Sequence, residues 1–192
     1  MAKIAKELKE AICQMPQKEK DKILLRLIAK DQMLIARLEH ELFGDENETK
    51  SLAEEIKEDI DRMTSFNHGT PGWLMMAMRS ENGAITRHVK ITKDKIGEIE
   101  LTLYLLSQTF KKQEKFLKEY AYRADKFGGY VCKRMDFALK KLIKLHPDLQ
   151  FDYKNEVEFI LNFLHTSPAT KDDAFSENIP KDWEDFEEKY GK

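Results

Sequence analysis

Chemistry in this 192-residue chain would have to come from its five histidines, its two cysteines and a few carboxylates. Bundles that bind two metal ions carry Glu-x-x-His pairs on their helices. Here the residues three before the histidines are Arg37, Ser65, Ile85, Ile143 and Asn162, and no HExxH occurs. His40, His88, His146 and His165 fall in or near the last turn of an expected helix. An imidazole there bonds free carbonyls and, when protonated, favours the negative end of the helix; the alternative is a ligand or base role. Glu54, Glu58 and Asp61 recur at helical spacing and could hold a hard cation. They lie opposite the apolar face of Leu52, Ile56, Ile60 and Met63, however, which reads as a solvated acidic face. Trp73 with Met75, Met76 and Met78 reads as a methionine-rich core before it reads as an adaptable pocket.

Cys13 and Cys132 lie far apart with no CxxC spacing, as reduced thiols in a cytoplasmic protein would. No GxSxG, GxxxxGK[ST] or GxGxxG supplies a nucleophile or a phosphate cradle. No catalytic residue, metal or cofactor is therefore assigned from the sequence.

Charge carries more information than these motifs. Residues 87–146 hold fifteen Lys/Arg against seven Asp/Glu, a net +8. Residues 147–192 hold five against twelve, a net −7. On one helix at about 100° per residue, Lys111, Lys115, Lys118, Lys126, Lys133, Lys140 and Lys144 fall within an arc of about 80°, with Tyr122 among them and Phe137 at the edge. Phe116, Tyr120, Phe127, Val131 and Leu142 lie opposite. Cations in a row with a ring for stacking suit the backbone of RNA or single-stranded DNA. The same row also suits a solvated helix face whose lysine stems cover apolar neighbours. A third possibility is a dock for the acidic tail, Asp172 to Glu188, anchored by Trp183, Phe186 and Tyr190.

The elements that must position these residues read as helices almost throughout. The composition is 41% hydrophobic and 35% charged, with few glycines and prolines, which fits a helical protein. Expected helices run from Ala2 to Gln14 and from Gln17 to Phe43. In the second, Asp31 interrupts the apolar stripe, either as a cap joining two shorter helices or as a buried carboxylate paired with an arginine. Asn47 caps the next, to Phe66. Thr70-Pro71 starts another, reaching Ile91 with an interruption near Ser80–Gly83. Thr92 caps a helix carrying Ile96, Ile99, Leu103, Leu106 and Phe110, with Leu101 and Leu105 on its other side. It is the candidate centre of the core. The following stretch reaches His146. Gly128-Gly129 costs a helix roughly 2 kcal/mol relative to alanine, yet the pattern keeps its phase across the pair, which favours near-continuity there. A last helix covers Tyr153 to His165.

The expected fold is all-α: a single multi-helix bundle of about six to eight helices with an acidic C-terminal tail. Residues 1–165 form the bundle. Residues 166–192 form a linker and an aromatic-containing tail, docked on the body or on another subunit. Met1 to Met15 lacks the apolar core of a signal peptide, and no apolar run spans a membrane. The expected function is a non-enzymatic cytoplasmic binding or scaffold module whose partner is a protein or a second copy, as a homodimer, with no membrane. RNA or single-stranded DNA binding through Lys111–Lys144 comes second, and an enzyme with scattered site residues third.

Overall fold

Helical periodicity folds into eleven α-helices among the described residues, with no strand. The computed structural model describes residues 4–191, apart from the side chain of Asp125. In chain order the helices are α1 (Lys6–Gln14), α2 (Gln17–Ile28), α3 (Gln32–Phe43), α4 (Glu46–Ser65), α5 (Pro71–Thr92), α6 (Lys95–Glu119), α7 (Asp125–Leu142), α8 (Pro147–Asp152), α9 (Lys154–Thr166), α10 (Lys171–Ser176) and α11 (Trp183–Tyr190). One 3-10 turn, Ala121–Arg123, separates α6 from α7. The count exceeds the expected six to eight because the 17–43 stretch divides and three short helices, α8, α10 and α11, are added.

The chain forms two compact units. One comprises residues up to Asp45 with Lys90–Thr92; the other comprises Glu46–Val89 and the chain from Lys93 onward. In the first unit, Asp31 settles the question raised by its place in an apolar stripe. It is the N-cap of α3, its carboxylate accepting from Met33 N at 3.0 Å and Leu34 N at 3.1 Å. The expected 17–43 helix is thus two helices joined at a cap. The expected start at Ala2 lies outside the described residues. No residue of α1, α2 or α3 is buried.

The second unit is built around α6. Leu101, Leu103, Leu105, Leu106 and Phe110 are all essentially inaccessible, although they point to different sides of one helix. Such a helix must be covered on every side. α4 covers it with Ile56, Ile60 and Met63, α7 with Phe127, Val131 and Met135, and α9 with Ile160, Phe163 and Leu164. Phe110 and Phe163 stack with centroids 4.2 Å apart. Polar ties set the register: Tyr104 Oη donates to Asp61 at 2.9 Å, Lys57 meets Glu100 at 2.7 Å, and Ser107 Oγ donates to Glu156 at 2.6 Å. Lys141 near the end of α7 pairs with Glu98 near the start of α6, so the two helices run antiparallel.

Several boundaries differ from expectation. α4 begins at Glu46, leaving Asn47 inside its first turn. Thr70 and Pro71 start α5 as expected, with Thr70 Oγ1 accepting from Trp73 N. α5 then runs unbroken through Ser80–Gly83, where Arg134 of α7 donates to Asn82 Oδ1 at 2.8 Å. Thr92 ends α5, and Asp94 is the cap of α6, accepting from Gly97 N at 2.8 Å.

The stretch to His146 is not one helix. It breaks at residues 120–124, where no glycine or proline stands, because Leu117, Ala124 and Phe127 all enter the same core and the chain must reverse to place them. Gly128-Gly129 does not break α7. A Cβ on Gly128 would collide with the Asp173 carboxylate and stand 2.8 Å from the Ala169 carbonyl oxygen. The glycine therefore lets the start of α10 approach α7 more closely than any side chain would allow.

This geometry separates two neighbouring glycines. Gly128→Ala meets a backbone oxygen that cannot rotate away, and should destabilise by about 1–3 kcal/mol. Gly129→Ala finds only a side-chain oxygen at 3.4 Å and should be neutral or stabilising by about 0.5–1 kcal/mol through helix propensity. Urea midpoints of the two variants check this, and equal midpoints would contradict the close approach.

Candidate interaction surfaces

The lysines expected to form one row sit on two antiparallel helices. Lys111, Lys115 and Lys118 belong to the end of α6, Lys126, Lys133 and Lys140 to α7, and Lys144 follows α7. The turn at 120–124 ends the common helical phase on which the 80° arc rested. Several of the seven have partners. Lys111 Nζ stands 5.2 Å over the Phe159 ring, Lys118 pairs with Glu114 at 2.7 Å, and Lys140 pairs with Asp136 at 2.6 Å. Lys133 lies 3.7 Å from Glu177. Lys115, Lys126 and Lys144 are exposed and make no ion pair among the described residues. Tyr122 stands in the 3-10 turn, 70% exposed, with the Arg123 guanidinium 5.2 Å over its ring.

The C-terminal helices are placed mainly by apolar contact. Trp183 and Phe186 are buried with centroids 4.9 Å apart, and α11 packs on α7 and α9. Ile179 and Pro180 are also buried, and their carbonyl oxygens accept from His165 Nε2–H at 3.1 and 3.0 Å. Asn178 adopts φ +52°, a conformation that asparagine tolerates better than most residues. Tyr190 Oη donates to Asp136 at 2.6 Å. Glu177–Lys133 links the acidic segment to the lysines, but an exposed pair at that distance contributes at most about 1 kcal/mol. Burying a large side chain such as Phe186 contributes about 1.5–3 kcal/mol. Apolar burial, not charge, holds this segment.

The remaining sequence candidates separate by role. His68 Nε2–H donates to the Met63 carbonyl at 2.9 Å and so closes the end of α4. His146 caps the start of α8 instead of the end of a helix, Nδ1 accepting from Asp148 N at 3.4 Å. His88 is buried, with Nε2 3.8 Å from Asp94 Oδ2. In the carboxylate row, Lys57 holds Glu54 at 2.8 Å. The Lys112 ammonium holds Asp61 ionised below the usual carboxylate range against the opposing effect of its burial, with a further hydrogen bond from Tyr104. Met75 and Met78 enter the core, while Trp73, 68% exposed, and Met76 face solvent. Burial pushes the Cys132 thiol up to about 12. Among the described residues, no group of His, Cys, Asp or Glu side chains could hold a metal ion, and no helix is long and apolar enough to cross a membrane.

Among the open clefts of the second unit, two adjoin the end of α6. One, of about 620 Å³, is lined by Ala121, Tyr122, Ala124, residues 168–173 and Ser176. The other, of about 400 Å³, is lined by Ser65, Phe66, Asn67, Gly69, Gln113, Phe116, Glu119 and Tyr120. Periodicity assigned Phe116 and Tyr120 to a buried face, but the end of α6 outruns its cover and leaves both half-exposed. Helical spacing along α6 already sets Gln113 and Glu119 beside Phe116 and Tyr120. Only the crossing of α4 on α6 brings Phe66 to them.

Asp136 gives the tail contact a pH dependence. Burial raises its pKa, but hydrogen bonds from Lys140 and Tyr190 outweigh burial and hold it below the ordinary value of 3.8. A depressed carboxylate contributes stability above its unfolded value and loses that contribution as the pH falls through the folded one. Asp136→Asn should therefore lower the urea midpoint at neutral pH and reduce the difference from wild type below about pH 4. A difference that persists undiminished in acid would contradict the contact.

Compared with family models, curated proteins and solved structures, the chain matches none.

Proposed function

We propose that this protein is a non-enzymatic, cytoplasmic interaction module whose N-terminal helices dock on a protein partner, the simplest being a second copy of the chain. The observation that carries this reading is that α1, α2 and α3 bury no residue, while Ile4, Leu8, Ile12, Leu24, Leu27, Leu42 and Phe43 stand exposed. Ile4, Leu8 and Ile12 recur every four residues and so line one face of the first helix and its approach. Apolar surface costs about 25 cal/mol per Å² in water, and contiguous patches of it mark interaction sites. Residues 4–45 carry eight Lys/Arg against eight Asp/Glu. A balanced surface of that kind does not repel its own copy, and it lacks the basic excess that phosphates would select.

Leu24→Glu combined with Leu27→Glu tests the reading, since neither residue supports the core. Wild type should show a concentration-dependent rise in mass by light scattering, or bind an apolar dye. The double variant should lose both while keeping its helical circular dichroism. A wild-type chain that stays monomeric and binds no dye would overturn the proposal.

A second reading, RNA or single-stranded DNA binding, is favoured by exposed Tyr122 between Lys115 and Lys126. Under it, labelled oligonucleotides bind at low salt, and Lys126→Glu weakens binding and lowers the salt slope by about one. No binding at low salt ends this reading.

A further inference from the structure

We propose that the cleft between the ends of α4 and α6 binds an organic cation of the alkylammonium class. This site is independent of the N-terminal helices and of their partner. Three kinds of group meet in the cleft, and each favours positive charge.

The first is aromatic. Phe66, Phe116 and Tyr120 line the cleft. The Phe116 and Tyr120 centroids lie 5.1 Å apart with their planes tilted by 39°, so a bound group can meet both ring systems. Ring faces attract a cation lying within about 6 Å of the centroid. The same aromatic row already carries one: Arg123 lies over Tyr122, whose ring is 6.4 Å from that of Tyr120.

The second is the pair of helix ends. Ser65 and Glu119 both line the cleft, and they are the last residues of α4 and α6. A helix C-terminus carries the equivalent of about half a negative charge on its free carbonyls; at α4 His68 and Gln113 already donate to the carbonyls of Met63 and Thr64, so the end of α6 supplies most of it here. Glu119 adds a full one, and its carboxylate has no ion pair among the described residues.

The third is Gln113, only 7% exposed. Its Nε2 donates to the Thr64 carbonyl at 2.6 Å and the Phe66 carbonyl at 3.1 Å. Both partners can only accept, so the amide orientation is fixed. Both hydrogens are used, and Oε1, which has no donor among the described residues, stays open to solvent and so to a ligand as an acceptor.

An anion would meet the Glu119 carboxylate and the negative end of α6, and a neutral apolar group would leave the Gln113 oxygen unanswered. A hard metal ion wants several oxygens, where this cleft is lined by three aromatic rings. An ammonium carrying alkyl groups satisfies the rings, the end of α6 and the acceptor together. Lys118, on the same turn of α6, is held by Glu114 at 2.7 Å. Two sources share this chemistry: a choline-type small molecule, and a lysine side chain, methylated or not, on another protein.

NMR titration of the full chain decides the question. The probes are choline, its neutral isostere with tert-butyl in place of trimethylammonium, and N-acetylated lysine and trimethyllysine amides. Choline at tens of millimolar should shift the resonances of Phe66, Gln113, Phe116 and Tyr120, and should bind about tenfold more tightly than the isostere. Glu119→Gln should weaken choline binding about threefold and leave the isostere unchanged; Tyr120→Leu should abolish binding. A lysine derivative that outcompetes choline assigns the site to a protein partner, and the reverse assigns it to a small molecule. Equal binding of choline and isostere, shifts scattered away from the cleft, or no shifts would overturn the proposal.

Discussion

A helix with no outside face is the constraint on which the second unit depends. α6 carries Leu101, Leu103, Leu105, Leu106 and Phe110 around most of its circumference, and none of them reaches water. Leaving one such face exposed would cost about 2 kcal/mol per side chain, so α4, α7 and α9 must each take a side. That requirement explains the reversal at 120–124. The chain contains no breaker there, but a straight continuation of α6 would leave its own flank uncovered. The reversal divides the lysines between two helices and leaves the aromatic end of α6 protruding beside the end of α4.

The C-terminal segment is held by the same logic on a smaller scale. α7 and α9 have apolar flanks of their own, and Trp183 and Phe186 cover them. Gly128 removes the one Cβ that would keep α10 away, and His165 fastens the intervening loop through two carbonyls. The acidic character of the segment then has a modest meaning. Among the described residues the exposed Glu177–Lys133 pair joins it to the lysine rows, and most of its other charges keep the outer faces of short helices hydrated.

Helix type was readable from periodicity, and so was the central place of α6, because apolar residues on both sides of a helix have one common explanation. Caps were partly readable. Thr70-Pro71 acted as written, while Thr92 lost to Asp94, whose carboxylate reaches Gly97 N from a position two residues later. The break at 120–124 was not readable, since it follows from three-dimensional cover and not from Ala121 or Tyr122. The double glycine did not break α7, as the unbroken phase of its flanks favoured, but its purpose was not readable: glycine spacing reports either a break or a close approach, and only the neighbour, Ala169, distinguishes them. The aromatic cleft was hidden because Phe66 and Gln113 are far apart in sequence and carry no shared pattern.

α11 belongs to the cooperative body around α6, whereas α1–α3 form a separate, weakly buried unit. Native-state hydrogen exchange at increasing denaturant tests it most directly. Amides of α6, α7, α9 and α11 should exchange through one common opening with the same denaturant dependence, and those of α1–α3 should exchange sooner through their own. Exchange of α11 at the fast rate of α1–α3, or protection of α1–α3 equal to that of α6, would contradict the account.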